Sequence, residues 1–307
     1  MHEVSPRNLP SVRRVIAATG RVLVTVGILI LLLVAYQLWG TGFYEARQQS
    51  KLKSQFAQSL RHVAATTTTT GPGITPPTTA AAVLPPPSGE AVAIIRIPKI
   101  AVDAAVVQGI ERPDLRKGPG HYPLTPMPGQ VGNAAIAGHR TTYGAPFYRL
   151  DELGAGDDIA IRTPAGTYHY RVTNQLIVNP TDVAVLDPTA ESTLTLTTCN
   201  PRYSAQQRLV IHATLVADKS PPPAPPPAPE VVTATKAKLT GAGLSGEGES
   251  RLLTLWWGLV AAAVGAAWWL LFHRHPRWTT WFVGVAPFLL VMFVFYSHLD
   301  RLLPANY

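Results

Sequence analysis

Three uncharged apolar runs constrain this chain more than any other feature. They are Val22 to Trp39, Leu252 to Phe272 and Trp278 to Tyr296. A helix needs roughly 20 apolar residues to cross a bilayer, so each run is long enough to span. The first exceeds the roughly 7–15 apolar residues of a cleavable signal peptide, and Gly40-Thr41-Gly42 after it is a poor cleavage site. It therefore reads as a retained anchor. The low charged fraction, 14% of 307 residues, follows from these runs.

The net charge of +8 has to be located before it is interpreted. From Glu90 to Asp218 acidic and basic residues nearly balance. The surplus lies in Arg7, Arg13, Arg14 and Arg21 before the first run, and in Arg274 and Arg277 between the last two. A nucleic-acid binder carries its charge on a folded face, so none is expected as a partner. Basic residues beside apolar runs mark the cytoplasmic side instead. The expected path starts inside, crosses three times and ends outside. The lipid bilayer is then a partner, and the protein is a multi-pass cell-membrane protein. Trp256, Trp257, Trp268, Trp269, Trp278 and Trp281 crowd the ends of the later runs, as interfacial residues do.

The chain divides accordingly. Residues 1–21 form a cytoplasmic tail and 22–40 the anchor. Residues 41–90 are an extracytoplasmic stalk and a Thr/Pro-rich linker, too poor in apolar residues to fold alone. Residues 91–218 form a globular domain, and 219–250 a Pro-rich spacer. Two spans at 251–272 and 278–299 flank a cytoplasmic loop at 273–277, and 300–307 is an extracytoplasmic tail.

The globular domain reads as mainly β. Runs at Val92 to Ile97, Ala101 to Gln108, Gly132 to Gly138, Asp158 to Thr163, Thr167 to Val178, Thr193 to Cys199 and Gln207 to Val216 are short and rich in Val, Ile, Thr and Tyr. Pro, Gly, Asn or Asp separate them. Only the stretches near Asp114 to Lys117 and Ala145 to Leu153 look helical. Many short strands predict a sandwich or closed barrel.

Cys199 is the single cysteine, so no internal disulfide or Cys-based metal cluster can form. It closes an alternating run that Asn200-Pro201 ends, which puts a thiol at a strand exit. A structural buried thiol and a reactive one both fit that position. A thiol nucleophile needs an imidazole nearby. His139 stands at another strand exit after Gly138 and ranks first; His121, in a Gly-rich loop, ranks second. His169 and His212 read as ordinary strand positions. Arg208 opens the strand after Cys199 and can reach the same end of a sheet. Asp151-Glu152 and Asp157-Asp158 read as charged turns, and neither a metal nor a cofactor is expected.

Ala137-Gly138-His139-Arg140, Thr195-Leu196-Thr197-Thr198-Cys199 and Arg208-Leu209-Val210, in that order, closely resemble the sortases, the cysteine transpeptidases of Gram-positive surfaces. Ile97-Pro98-Lys99-Ile100, Lys117 to Pro123 and His139 to Phe147 are similar to the actinobacterial housekeeping group, class E. The resemblance covers about residues 91–217. It implies an eight-stranded β-barrel with short helices. It also implies Cys199 as nucleophile, His139 as acid/base and Arg208 as the group that positions substrate and stabilises the oxyanion. Thr198, Tyr143, His121 and Asn200 become candidates for substrate binding. The implied reaction cleaves a Thr–Gly bond in an LAxTG/LPxTG-type sorting signal of a surface protein. The protein then passes through a thioacyl-enzyme to an amine of a cell-wall peptidoglycan precursor. Two departures stand out: Asn200 follows the cysteine where relatives often carry His or Thr, and the two C-terminal spans are not a general feature of the family. A pilin-polymerising sortase, a hydrolytic cysteine peptidase of the same fold, and a wall-binding scaffold with an incidental thiol are the alternatives.

Overall fold

The computed structural model describes residues 9–68, 86–225, 251–272 and 278–302. The parts of the Thr/Pro-rich linker, Pro-rich spacer, basic loop and terminal tails beyond these bounds lie outside the described residues.

Eight strands close a barrel: β1 (Ala91–Ile97), β2 (Val102–Gln108), β3 (Gly120–His121), β4 (Gly132–Ala137), β5 (Asp158–Thr163), β6 (Gly166–Val178), β7 (Ser192–Asn200) and β8 (Gln207–Leu215). Their order around it is β1-β2-β3-β4-β7-β8-β6-β5. Each strand alternates, so one set of side chains fills the barrel and the other faces out. Ile95, Ile97, Ile136, Ile159, Ile161, Tyr170, Leu194, Leu196, Leu209 and Ile211 form the centre of the core. Pro98, which lacks an N–H, ends β1 and starts a 3₁₀ turn at Pro98–Ile100.

Two local expectations change. β3 went unseen because it is two residues long, inside a Gly-Pro-Gly stretch that reads as loop; it pairs with β2 and β4 nonetheless. Ala145 to Leu153 is not an α-helix. It is a folded-back loop ending in a 3₁₀ turn at Leu150–Glu152. Tyr143 and Ala145 there take positive φ values of 50° and 45°, outside the helical region. The loop instead closes through Phe147 N–H, which donates to His139 O at 3.1 Å. The other helical expectation corresponds to α3 (Arg112–Leu115).

Outside the barrel, α1 (Leu9–Ala35) continues through a π turn at Tyr36–Gly40 into α2 (Thr41–Thr68). A Cβ on Gly40 would stand 2.6 Å from the Tyr36 ring and 3.2 Å from Phe293, so glycine lets those rings pack against the turn. α2, the first part of the expected stalk, rests against the barrel. Leu52 is buried with Ala105 and Val107. Gln49 accepts from Ala105 N–H at 2.7 Å and donates back to Ala105 O at 3.0 Å. Because β3 is so short, the middle of β2 lacks a neighbouring strand on its side away from β1. The Gln49 amide supplies the pairing that a strand would give.

α4 (Arg251–Phe272) and α5 (Trp278–Leu302) form a hairpin with α1 beside it. Tyr296 donates to Leu29 O at 2.7 Å, and Tyr36 meets Phe293 edge-on at 5.2 Å. Among the described residues, three helical stretches are long and apolar enough to cross a membrane: Arg13–Arg61, Leu252–Leu271 and Val283–Asp300.

Candidate active site

The site is built by three neighbouring strands. β4 and β7 run parallel, pairing Ala135 with Thr195 and Ala137 with Thr197. β7 and β8 run antiparallel, pairing Thr197 with Val210 and Cys199 with Arg208. Ile136, Leu196 and Leu209 point into the core, so Ala137, Cys199 and Arg208 face outward by alternation. His139 lies two residues past Ala137, as Cys199 lies two past Thr197. The register therefore carries Cys199 and Arg208 side by side to one end of one outer face, and His139 follows just past the paired end of the neighbouring β4.

Backbone and side-chain bonds hold that end together. Gly138 N–H donates to Thr197 O at 3.0 Å, and Thr198 Oγ1 donates to Gly138 O at 2.7 Å. Phe147 packs under Gly138, where a Cβ would meet its ring at 2.5 Å. Glycine thus lets the loop close directly beneath the residue before His139.

Cys199 is 8% exposed. Burial pushes its thiol pKa up, and the Arg208 and Arg140 charges pull it part of the way back. His139 is half-buried; burial first, then Arg116 and Arg112, push its pKa down to about 4. Near neutral pH both groups rest uncharged, as a thiol and a free imidazole. Arg208 is half-buried and donates to Ala205 O and Gln207 O, both at 3.0 Å, which fixes its stem on the β7–β8 turn.

The remaining candidates sit as follows. Tyr143 is buried, its ring 5.3 Å from that of His139, and forms a wall beside the imidazole. Thr198 is buried and spends its hydroxyl on Gly138. Asn200 accepts from Arg140 at 2.7 Å and donates to Gln207 at 3.1 Å, so it braces the strand end. His121 is 1% exposed, with its ring nitrogens bonded to Gln108 at 3.0 Å and Pro126 O at 2.9 Å. Burial pushes its pKa down to about 4. The structure does not bring it to the outer face with Cys199; it packs as a neutral core histidine.

Two residues went unassigned in the sequence. Arg140 is 4% exposed and donates to Cys199 O at 3.1 Å while pairing with Asp151 at 3.1 Å. Tyr122 bonds Thr197 Oγ1 at 3.1 Å, one outward position below Cys199. An arginine directly after His139, where the apolar run Ala134 to Gly138 ends, was the available signal for the first. Further along the same face lies a recess of about 270 Å³, lined by Asn133, Thr193, His212 and Thr214 and walled by Val185 and Pro188.

Removing a nearby positive charge raises a thiol pKa. Arg208→Gln is therefore expected to move the pH-dependent rise of Cys199 alkylation by iodoacetamide to higher pH, with slower labelling at neutral pH. Superimposable rate–pH profiles would show that Arg208 exerts no field on the sulfur.

Residues 95–216 match the model of the sortase domain. Sortase SrtE1 of Streptomyces coelicolor is 30% identical over 222 residues, which cover 66% of this chain and 57% of that protein. Sortase D of Bacillus subtilis is 35% identical over 133 residues, covering 42% of this chain and 66% of its own length. A solved sortase E from Streptomyces avermitilis is 35% identical, covering 43% of this chain and 91% of that one, with a TM-score of 0.39. The chain thus spans a little over half the length of SrtE1 and about two thirds of sortase D. It belongs to the sortase family, with class E sortases among its relatives.

Proposed function

We propose that this protein is a membrane-anchored class E transpeptidase that cleaves the Thr–Gly bond of an LAxTG/LPxTG-type sorting signal and joins the freed carboxyl end to an amine of a cell-wall precursor. The observation that carries this reading is the shared outward face of Cys199, Arg208 and, by extension of the register, His139. The peptide lies along the outer face of β4, β7 and β8, towards the recess at Asn133 and His212.

The resting protonation states define the chemistry. Cys199 Sγ gives its proton to His139 as it attacks the threonine carbonyl carbon. Arg208, which stays protonated, stabilises the developing oxyanion. The C–N bond breaks, and the glycine amine leaves with the proton from His139. The incoming amine then attacks the thioester, His139 takes its proton, and Cys199 is released as thiol. Because the thiol pKa is raised and the imidazole pKa lowered, the thiolate–imidazolium pair is a minor species near neutral pH. The first proton transfer therefore belongs to the attack itself.

The full chain in detergent or lipid nanodiscs, given a Leu-Ala-x-Thr-Gly peptide and an amine, is expected to release the Gly-containing fragment and form the amine adduct. Cys199→Ala is expected to abolish both, and His139→Ala to leave at most a trace, at least a hundredfold down by the usual scale of general acid–base catalysis. Release without adduct at saturating amine would mark a hydrolase. Wild-type turnover in Cys199→Ala would remove the enzyme assignment.

The barrel must stand outside the cytoplasmic membrane to meet such substrates, with α4 and α5 as two further spans. A reporter inserted at position 276 is then expected on the cytoplasmic side, and one at position 220 on the outer side. The same side for both would contradict this path.

A further inference from the structure

The third apolar helix does more than pass near the barrel. Asp300, at the end of its apolar stretch, is 2% exposed. Its carboxylate accepts from the Tyr143 hydroxyl and from Gln37 Nε2 at 3.2 Å. It also pairs with Arg116 at 3.5 Å, and its backbone oxygen accepts from Arg112 at 3.2 Å. One aspartate therefore links three parts of the chain: α5, the turn after α1, and the barrel loops on either side of His139.

Tyr143 is the element that this link controls. Its ring packs 5.3 Å from His139, and the Arg116 guanidinium lies 5.6 Å from the ring centre. Its backbone holds a φ of 50°, which costs a non-glycine residue roughly 1 kcal/mol and persists only where contacts enforce it. Two contacts do so. Thr41 Oγ1, from the start of α2, accepts from Tyr143 N–H at 3.1 Å. Asp300, from the end of α5, accepts from the hydroxyl. Both come from helix ends adjoining the spans, and barrel residues supply neither.

We propose that Asp300 is a positioning residue of the active site, holding the Tyr143 ring against His139 so that the C-terminal membrane hairpin completes the catalytic wall. This rests on the transpeptidase reading above. The hairpin is then a working part of the enzyme rather than an added anchor. Catalytic geometry depends on the third helix standing in register with the barrel. Asp300 meets no reacting atom and acts only through Tyr143 and the arginines.

The test uses the full chain in nanodiscs with the same peptide and amine. Asp300→Asn removes the charge, Tyr143→Phe removes the hydroxyl, and the double variant removes both ends of the link. Displacement of a catalytic group by a fraction of an ångström lowers turnover by roughly tenfold or more. Each single variant is expected to lower kcat by about that factor with KM changed by less than about twofold, and the double variant to be no worse than either. Cys199 alkylation in all three should match wild type, showing that the thiol and barrel are intact. Unchanged kcat in Asp300→Asn, or multiplicative losses in the double variant, would overturn the proposal. If Asp300→Asn fails to assemble, Tyr143→Phe decides: an unchanged kcat there overturns it equally. A wild-type protein that cleaves no Thr–Gly peptide would overturn the transpeptidase reading instead, which separates the two failures.

Discussion

The parallel pairing of β4 with β7, set beside the antiparallel pair β7–β8, is the constraint on which the site depends. Parallel neighbours exit at the same end of a sheet, and an antiparallel neighbour enters there. Residues far apart in sequence are therefore brought to one end of the sheet without any long loop carrying them. Thr197 O and Thr198 Oγ1 bind the two sides of Gly138, one through its N–H and one through its carbonyl. A one-residue slip between these strands would turn Cys199 into the core and break both bonds. The tightly filled centre, with Ile136, Leu194, Leu196 and Ile211 at or near zero exposure, resists such a slip.

Electrostatics then decide what the meeting residues can do. Burial alone favours neutral thiol and neutral imidazole, and the arginines lower both pKa values, opposing burial at the thiol and adding to it at the imidazole. Arg140 and Arg208 favour the thiolate, whereas Arg112 and Arg116 oppose the imidazolium. The site thus stores a neutral pair in a positive environment that suits an oxyanion. Arg140 also ties the Cys199 carbonyl to Asp151, so one buried guanidinium positions the strand end and shapes its field.

Much of this was legible in the sequence. Alternation in Thr193 to Cys199 marked the strand and put the thiol at its exit, and positions at strand ends made His139 and Arg208 candidates. The long apolar helices were legible from length and apolarity alone. What escaped has physical reasons. β3 is too short to show a period. The loop at 143–153 contains residues with apolar, helix-compatible character, yet Tyr143 and Ala145 take positive φ in a turn closed onto Thr142 O, and contacts from remote helices hold Tyr143 there. His121 looks like a loop residue beside Gly120, and only tertiary burial makes it a core group. The docking of α2 through Gln49, and of α5 through Asp300, rests on single polar side chains with partners tens to hundreds of residues away, and no local pattern encodes these.

The central claim is that Cys199 forms a covalent acyl bond to the threonine of a sorting peptide. Intact-mass measurement of the full chain, mixed with a Leu-Ala-x-Thr-Gly peptide without an amine and quenched in acid, tests it most directly. The account predicts a species heavier than the free protein by the mass of the fragment ending in threonine less one water, absent in Cys199→Ala and discharged by added amine. Peptide cleavage with the modification on another residue, or an identical adduct in Cys199→Ala, would contradict it.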